Sequence, residues 1–420
     1  MRISLVIPTR ERAELLSGCL DAALSVDDPD FEIVVSDNQS RDNTAEIVAA
    51  RADPRLVYTK TTHRASMRAN FENGLAAATG DYVIFIGDDD GVLPTGIAYL
   101  RQLLERDRPE AVAWRLLHYI WPSEVSGRPN GSIDLKHNAP FGQPKPEPAQ
   151  AVLDKLFSAR LRSYRHAANI YHGCISRTLI ERVRANQSGT YFLGAIPDVY
   201  TSIANLRDMQ GPLIWAGHPA TFGGASDRSN GSNQMSAAKT SDEGKAENAA
   251  FAKEGEDDKG VAGIDISIPS VDALTLDMLD LAFEGREEQA RIDWQAWLAR
   301  IQKKLARMPR QKYEHGAAAL AAYCDTKGLG RELEQAVGQY PFAGAEAVEA
   351  RFPNQKSRLK PDRIVLADGR NLATVADAAR VLDRVFGAHR LGNPFSRLKW
   401  FGALRRARSV IRQWRQEANS

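Results

Sequence analysis

Cysteine is scarce in this 420-residue chain, which holds only Cys19, Cys174 and Cys324. Odd in number, far apart and without C-x-x-C spacing, they indicate neither a disulfide framework nor a zinc site. A reducing, cytoplasmic compartment is the simpler expectation. No run approaches the ~20 apolar residues that a membrane-spanning helix needs. A strand is expected almost at once after Met1, so a signal peptide is not expected. Glycine is missing where Rossmann and P-loop proteins require it. The turn after the first apolar segment reads Pro8-Thr9-Arg10-Glu11-Arg12, and neither G-x-G-x-x-G nor G-x-x-x-x-G-K-[ST] follows it. Those folds cradle phosphate with backbone N–H groups at that turn. A diphosphate bound here would have to be neutralised by a metal ion instead. The first strand also ends without an aspartate, which excludes a phosphatase of the D-x-D-x-[TV] type. No internal repeat is present.

At 43% hydrophobic residues the chain can bury a large core and divide into two or three domains. Its net charge of +2 conceals an uneven distribution. The first part alternates strand and helix patterns: strand Ile3–Pro8, helix near Ala13–Leu24, strand Phe31–Ser36, helix Thr44–Ala52, strand Leu56–Lys60 and helix Ser66–Ala78. A strand over Tyr82–Ile86 and a further one over Ala111–Leu117 follow. Such alternation predicts a mainly parallel sheet with helices on both faces. Ligands of these sheets sit beyond the carboxyl ends of the strands, so Thr9, Asp37 and Asp88 to Asp90 should converge on one rim. The segment Trp121–Pro148 is rich in proline and glycine and reads as loop or hairpin. From Gly223 to about Gly263 the chain is polar and acidic, as expected of a mobile loop or linker, and Ser226–Asn233 could serve as a lid. Val271–Met308 is strongly helical, with Trp294, Trp297, Leu298 and Ile301 on one face.

The densest chemical signal is Gly80-Asp81-Tyr82-Val83-Ile84-Phe85-Ile86-Gly87-Asp88-Asp89-Asp90-Gly91. An apolar strand that delivers carboxylates to its tip suits a hard divalent cation, which is held by one or two carboxylates plus substrate phosphates. A solvated turn is the bland alternative for three adjacent aspartates.

Together with Ser4-Leu5-Val6-Ile7-Pro8-Thr9 and Val34-Val35-Ser36-Asp37-Asn38-Gln39-Ser40-Arg41-Asp42-Asn43-Thr44, this segment resembles the inverting glycosyltransferases of family 2. The resemblance covers roughly the first 225 residues. It implies an α/β GT-A fold, a Rossmann-like mainly parallel sheet flanked by helices, here with a helical C-terminal region. The implied organisation is a nucleotide-sugar-binding subdomain over 1–118, an acceptor-binding subdomain over 119–225, a polar linker over 226–262 and a helical region over 263–420. The implied activity is metal-dependent transfer of a sugar from a nucleoside-diphosphate donor to a carbohydrate or lipid-linked acceptor, in bacterial-type cell-surface polysaccharide or glycolipid assembly. Mg²⁺ or Mn²⁺ is the implied cofactor, with Asp89 and Asp90 as metal residues. Pro8, Thr9, Arg10, Asp37, Asn38, Arg68 and Asp88 are the implied donor contacts. The family also places a carboxylate base about one hundred residues beyond the metal motif, at the start of a helix. Asp198 matches that placement as the catalytic base, although a helix N-cap would equally explain an aspartate there. Two positions depart from the family pattern: Asp37 is followed by Asn38 rather than an acid, and Gly87 stands where the metal motif often begins with Asp. Asn70 and His218 are lesser candidates, the latter as an additional metal ligand.

Residues 395–415 carry seven basic side chains and no acid, with Trp400, Leu404, Ala407, Ile411 and Trp414 at heptad-like spacing. This reads as an amphipathic helix at the inner face of an anionic membrane, or as one whose tryptophans pack on the protein while its arginines face water. Nucleic acid is not expected as a partner. A nucleotidyltransferase would need a glycine-rich, arginine-containing loop after the first strand, which Pro8–Leu16 lacks. A non-catalytic carbohydrate-binding protein on the same fold is the other alternative, against which stand Asp89 and Asp198.

Overall fold

The computed structural model describes residues 1–123, 127–136, 143–187, 189–194, 196–228, 254, 268, 270–344, 356–360, 363–387 and 396–418. Beyond Arg228, and apart from Glu254, the expected linker and the candidate lid over Ser226–Asn233 lie outside the described residues.

Four strands, β1 (Ile3–Thr9), β2 (Phe31–Asp37), β3 (Leu56–Lys60) and β4 (Tyr82–Phe85), lie in the order β3-β2-β1-β4, all parallel. The near-continuous apolar runs of β1, β2 and β4 follow from burial on both faces, whereas β3, at the edge, is partly exposed. Ile3, Leu5 and Ile7 pack with Leu16 and Leu20 of α1 (Ala13–Leu24) on one side. After α2 (Thr44–Ala49), the helix α3 (Met67–Ala77) covers the other side, where Phe71 and Leu75 meet Val6, Val83 and Phe85. The register pairs Thr9 with Asp37, so both strand tips end on the same rim.

The sheet continues beyond β4. After β5 (Gly91–Val92) come β6 (Ala111–Ala113), β7 (His118–Ile120), β8 (Gly131–Lys136), β9 (Lys145–Glu147), β10 (Gly173–Ser176), β11 (Leu213–Trp215) and β12 (Thr221–Ala225). The full order of the large sheet is β3-β2-β1-β4-β10-β6-β11-β9, in which β6 and β11 also pair in parallel while β9 and β10 run antiparallel to their neighbours. The expected mainly parallel α/β architecture is therefore present. Helices α4 (Pro94–Asp107), α5 (Ala149–Phe157), α6 (Arg177–Ala185) and α7 (Pro197–Asp208) belong to this half. The polar stretch expected to begin at Gly223 starts later than its composition suggests, because Gly223 to Ala225 belong to β12.

The region after 263 is mainly helical, with α8 (Val271–Ala282), α9 (Trp294–Leu305), α10 (Arg310–Lys327) and α11 (Gly330–Gln339), and the helical pattern over Val271–Met308 is broken between α8 and α9. It also contains strands. β13 (Arg358–Lys360) and β14 (Arg363–Asp368) extend a second sheet, β13-β14-β8-β7-β12-β5, through pairing of β14 with β8. The chain then forms α12 (Val375–Phe386) and α13 (Ser396–Ala418).

The apolar face of α13 is not free for a membrane. Trp400, Ala403, Leu404, Ala407, Val410 and Trp414 are buried in the same core as β1 and α1. Burying a tryptophan removes some 150–250 Å² from water, and here α12 and the strands β13 and β14 of the second sheet supply the cover. No described helix is long and apolar enough to cross a membrane.

Candidate active site

The parallel strand tips open onto a cavity of about 660 Å³ whose lining includes Pro8, Thr9, Asn38, Asp88, Asp89, Asp90 and Asp198. Of the residues expected to converge here, Thr9 and Asp88 to Asp90 line the cavity and Asp37 does not, while Asp198, far away in sequence, shares the same space.

The three aspartates have different surroundings although all are buried. Asp88 accepts a hydrogen bond from Thr9 Oγ1 at 2.7 Å and pairs with Arg12 at 3.2 Å. Asp90 is saturated by protein donors. Its Oδ2 accepts from Gly87 N at 2.7 Å and Tyr171 Oη at 2.6 Å, and faces His172 Nε2 at 3.1 Å. Its Oδ1 accepts from Gly224 N at 2.8 Å. Burial opposes ionisation of Asp90, but His172, Tyr171 and Gly224 more than offset it and hold the carboxyl below its ordinary value. Asp89 lies between them, with Ser226 Oγ 3.5 Å from its Oδ2 and its backbone carbonyl accepting from Trp121 Nε1 at 2.9 Å.

β12 crosses directly over this loop. A Cβ at Gly224 would stand 1.7 Å from the Asp89 carbonyl oxygen, so only glycine fits. Gly87 is crowded less severely, by side-chain ends: a Cβ there would meet Tyr171 Oη at 2.7 Å and Asp89 Oδ1 at 2.9 Å. Restoring the family's usual acid with Gly87→Asp is therefore expected to destabilise the fold by about 1–3 kcal/mol through overpacking, before the repulsion of another carboxylate is counted. Denaturant unfolding checks this; a variant as stable as the parent would contradict the crowding.

The residues expected to contact the donor are placed unequally. Pro8, Thr9, Arg10, Asn38 and Asp88 line the cavity, whereas Asp37 and Arg68 are not among its lining residues. Asp37 is fully buried and accepts from Ser40 N at 2.8 Å and Tyr58 Oη at 2.6 Å. Asn38 ties the rim together, accepting from Ala65 N at 2.8 Å and donating to Ala65 O at 2.7 Å. Arg10 pairs with Glu254 at 2.5 Å. Asn70 lines the cavity, with its Oδ1 accepting from Ser36 Oγ at 2.8 Å. His218 does not line it; the ring is buried beside Tyr99 and Phe386, with Nδ1 2.8 Å from Pro219 O.

Asp198 stands in the first turn of α7, after Pro197, while Ile196 occupies the N-cap position. The aspartate is therefore not the cap, and its carboxylate instead accepts from Tyr164 Oη at 3.0 Å. Burial pushes its carboxyl above the ordinary value, against the opposing pull of Tyr164 and Arg165. A carboxylate tuned upward in a cavity has the properties of a general base.

Among the described residues no group of three or more His, Cys, Asp or Glu side chains forms a ready-made metal shell. A cation bound partly by substrate phosphates needs no such shell, and the hard carboxylate oxygens of the Asp88–Asp90 loop fit one. Sequence reasoning missed Tyr171, His172, Gly224 and Tyr164. None belongs to a recognisable motif; they meet the aspartates only because β10 lies beside β4 and β12 passes over the loop.

Comparison with known proteins bears on the same region. The chain is 33% identical over 104 residues to a GalNAc(5)-diNAcBac-PP-undecaprenol beta-1,3-glucosyltransferase of Campylobacter jejuni, covering 24% of this chain and 34% of that protein. It is 30% identical over 95 residues to a poly(ribitol-phosphate) beta-glucosyltransferase of Bacillus spizizenii, covering 21% of this chain and 15% of that protein. The chain thus spans about a third of the length of the first relative and less of the second. The crystal structure of S. aureus TarS 1-349 aligns over 81% of this chain and 91% of that one, at 14% identity and a TM-score of 0.44. Residues 4–169, which hold β1, the acidic loop and the turns around them, match the model of glycosyl transferase family 2.

Proposed function

We propose that this protein is a metal-dependent inverting glycosyltransferase that moves a sugar from a nucleoside-diphosphate donor to an acceptor hydroxyl, in the assembly of a cell-surface polysaccharide or glycolipid. One observation carries this reading: Asp198 and the Asp88–Asp90 loop line the same cavity, whose volume of about 660 Å³ suits a small-molecule ligand. The printed activities of the Campylobacter and Bacillus relatives support the substrate class.

Each residue then has a task. Asp198 takes the proton of the acceptor hydroxyl as the new bond to the anomeric carbon forms and the bond to the nucleoside diphosphate breaks. Tyr164 orients that carboxylate through its hydroxyl. Asp88, fixed by Thr9 and Arg12, accepts from the donor ribose, and Asn38 and Asn70 shape the nucleotide side of the cavity. Asp89 holds the cation, because the oxygens of Asp90 are engaged by four protein donors. A bound Mg²⁺ or Mn²⁺ supplies Lewis-acid neutralisation of the leaving diphosphate. Asp90 positions Asp89 by locking the loop to β10 and β12.

A thermal-shift screen of nucleoside diphosphates with Mn²⁺, followed by assay of nucleoside diphosphate release from the matching sugar nucleotide, tests the reading. Absence of metal-dependent release from every common sugar nucleotide would refute it.

We also place the protein at the inner face of the cell membrane, through the outer side of α13. With its tryptophans buried, the helix exposes Arg405, Arg408, Arg412 and Arg415 on one face, headed by Phe401 at 63% exposure. Each arginine near an anionic leaflet contributes about 1 kcal/mol. Cosedimentation with phosphatidylglycerol liposomes should be lost on reversing Arg405 and Arg412 to Glu; binding that survives the reversal would remove α13 from the contact.

A further inference from the structure

The wall beside Asp198 is cationic, and its geometry is fixed from behind. Arg162, Ser163, Tyr164, Arg165 and Lys304 all line the cavity with Asp198. Arg300 of α9 clamps the preceding backbone, donating to Ala159 O at 2.8 Å, Leu161 O at 2.5 Å and Arg162 O at 3.1 Å. The same guanidinium pairs with Asp272 at 2.7 Å, and Asp272 also holds Lys304. Asp272 is thus shared between two cations. Among the described residues neither Arg162 nor Arg165 forms an ion pair, although Arg165 feels the charge of Asp198.

Three cations, Arg162, Arg165 and Lys304, therefore line the cavity beside Asp272 and Asp198, with Arg300 behind them. A guanidinium that lines a cavity can grip a ligand's carboxylate or phosphate by charge-assisted, often bidentate, hydrogen bonds, and both Arg162 and Arg165 line this one. The donor's own phosphates belong by the reading above at the Asp88–Asp89 loop, on the nucleotide side. The wall at Asp198 is where the acceptor hydroxyl must arrive, so a second anion here travels with the acceptor.

We propose that the acceptor carries a phosphate group close to the hydroxyl that is glycosylated, and that Arg162, Arg165 and Lys304 bind it. This rests on the glycosyltransferase reading of the same cavity. The phosphate is either that of a polyol phosphate or the diphosphate of a polyprenyl carrier; the recognition chemistry is shared.

Isothermal titration of the full chain, with its donor pocket filled by Mn²⁺ and the nucleoside diphosphate that stabilises it most, tests this with three probes: sn-glycerol 3-phosphate, farnesyl diphosphate and glycerol. At least one phosphate probe should bind and glycerol should not. The tighter phosphate probe identifies the source, polyol or polyprenyl. Arg162→Gln should weaken that probe about tenfold, and Lys304→Gln, on an exposed side chain of another element, should weaken it in the same direction. Phosphate affinity unchanged in both variants, or binding that vanishes once the donor pocket is filled, would overturn the proposal. If no nucleoside diphosphate stabilises the chain, it is the glycosyltransferase reading that fails, and titration of the empty chain and its variants still reports on the phosphate subsite.

Discussion

Replacing Asp198 by asparagine is expected to lower kcat by about 10²–10⁴-fold, the usual worth of a positioned general base, while leaving donor affinity nearly intact. The amide keeps the shape of the side chain but cannot take a proton. Steady-state transfer assays, paired with titration of the nucleoside diphosphate, separate the two effects. A variant that retains most of its turnover would remove Asp198 from the chemistry. The pH profile adds a second readout. Transfer requires the ionised carboxylate, and burial raises the Asp198 pKa, so kcat/KM should begin to fall at a higher pH than an ordinary carboxylate would impose. The stability effect has the opposite sign. A carboxyl whose folded pKa lies above its unfolded one contributes stability below the unfolded pKa and loses it as pH rises through the folded value. Asp198→Asn removes that loss, so at neutral pH the variant should unfold at the same temperature or higher, a common signature of a functional site.

The second large effect is expected at Asp89. If this carboxylate holds the cation, Asp89→Asn should cost several kcal/mol of charge stabilisation, about a 10³-fold fall in kcat/KM. The Mn²⁺-dependent part of the thermal stabilisation by nucleoside diphosphate should vanish with it. The isosteric change leaves the Asp89 carbonyl on Trp121, so the fold should persist. Asp90→Asn should behave differently. It replaces one of the two oxygens that accept from Gly87, Tyr171 and Gly224 by an amide nitrogen that cannot, and leaving buried donors unpaired costs about 1–3 kcal/mol, so denaturant unfolding should register the change first. Equal loss of stability in both variants, with metal response kept in the Asp89 variant, would reverse the assignment of the two aspartates.

Much of the site was legible in the chain itself. The run Tyr82–Phe85 followed by three aspartates announces a buried strand with an acidic tip, and parallel order among β1, β2 and β4 then forces Thr9 and Asp88 onto one rim. Asp198 entered only through the placement that the resemblance to family 2 glycosyltransferases implies, and the structure puts it on the same cavity as the acidic loop. The division of labour within the triplet was not legible. Asp88, Asp89 and Asp90 are chemically identical in sequence, and they differ only in what touches them: Thr9 and Arg12 for the first, Tyr171, His172 and Gly224 for the third. Each of these partners except Thr9 and Arg12 arrives from a strand or turn more than eighty residues away.

The same limit governs the C-terminal helix. Its spacing of Trp400, Leu404, Ala407 and Trp414 establishes that one face must leave water, because apolar area drives burial whatever covers it. It says nothing of whether lipid or protein is the cover, and the tertiary structure supplies α12 and the first core. Local pattern, then, determined the strands, the acidic tip and the two-faced helix, since these depend on neighbours a few residues apart. What surrounds each of the three aspartates and which apolar surface is spent inside were decided by contacts between distant segments, whose energies no local spacing encodes.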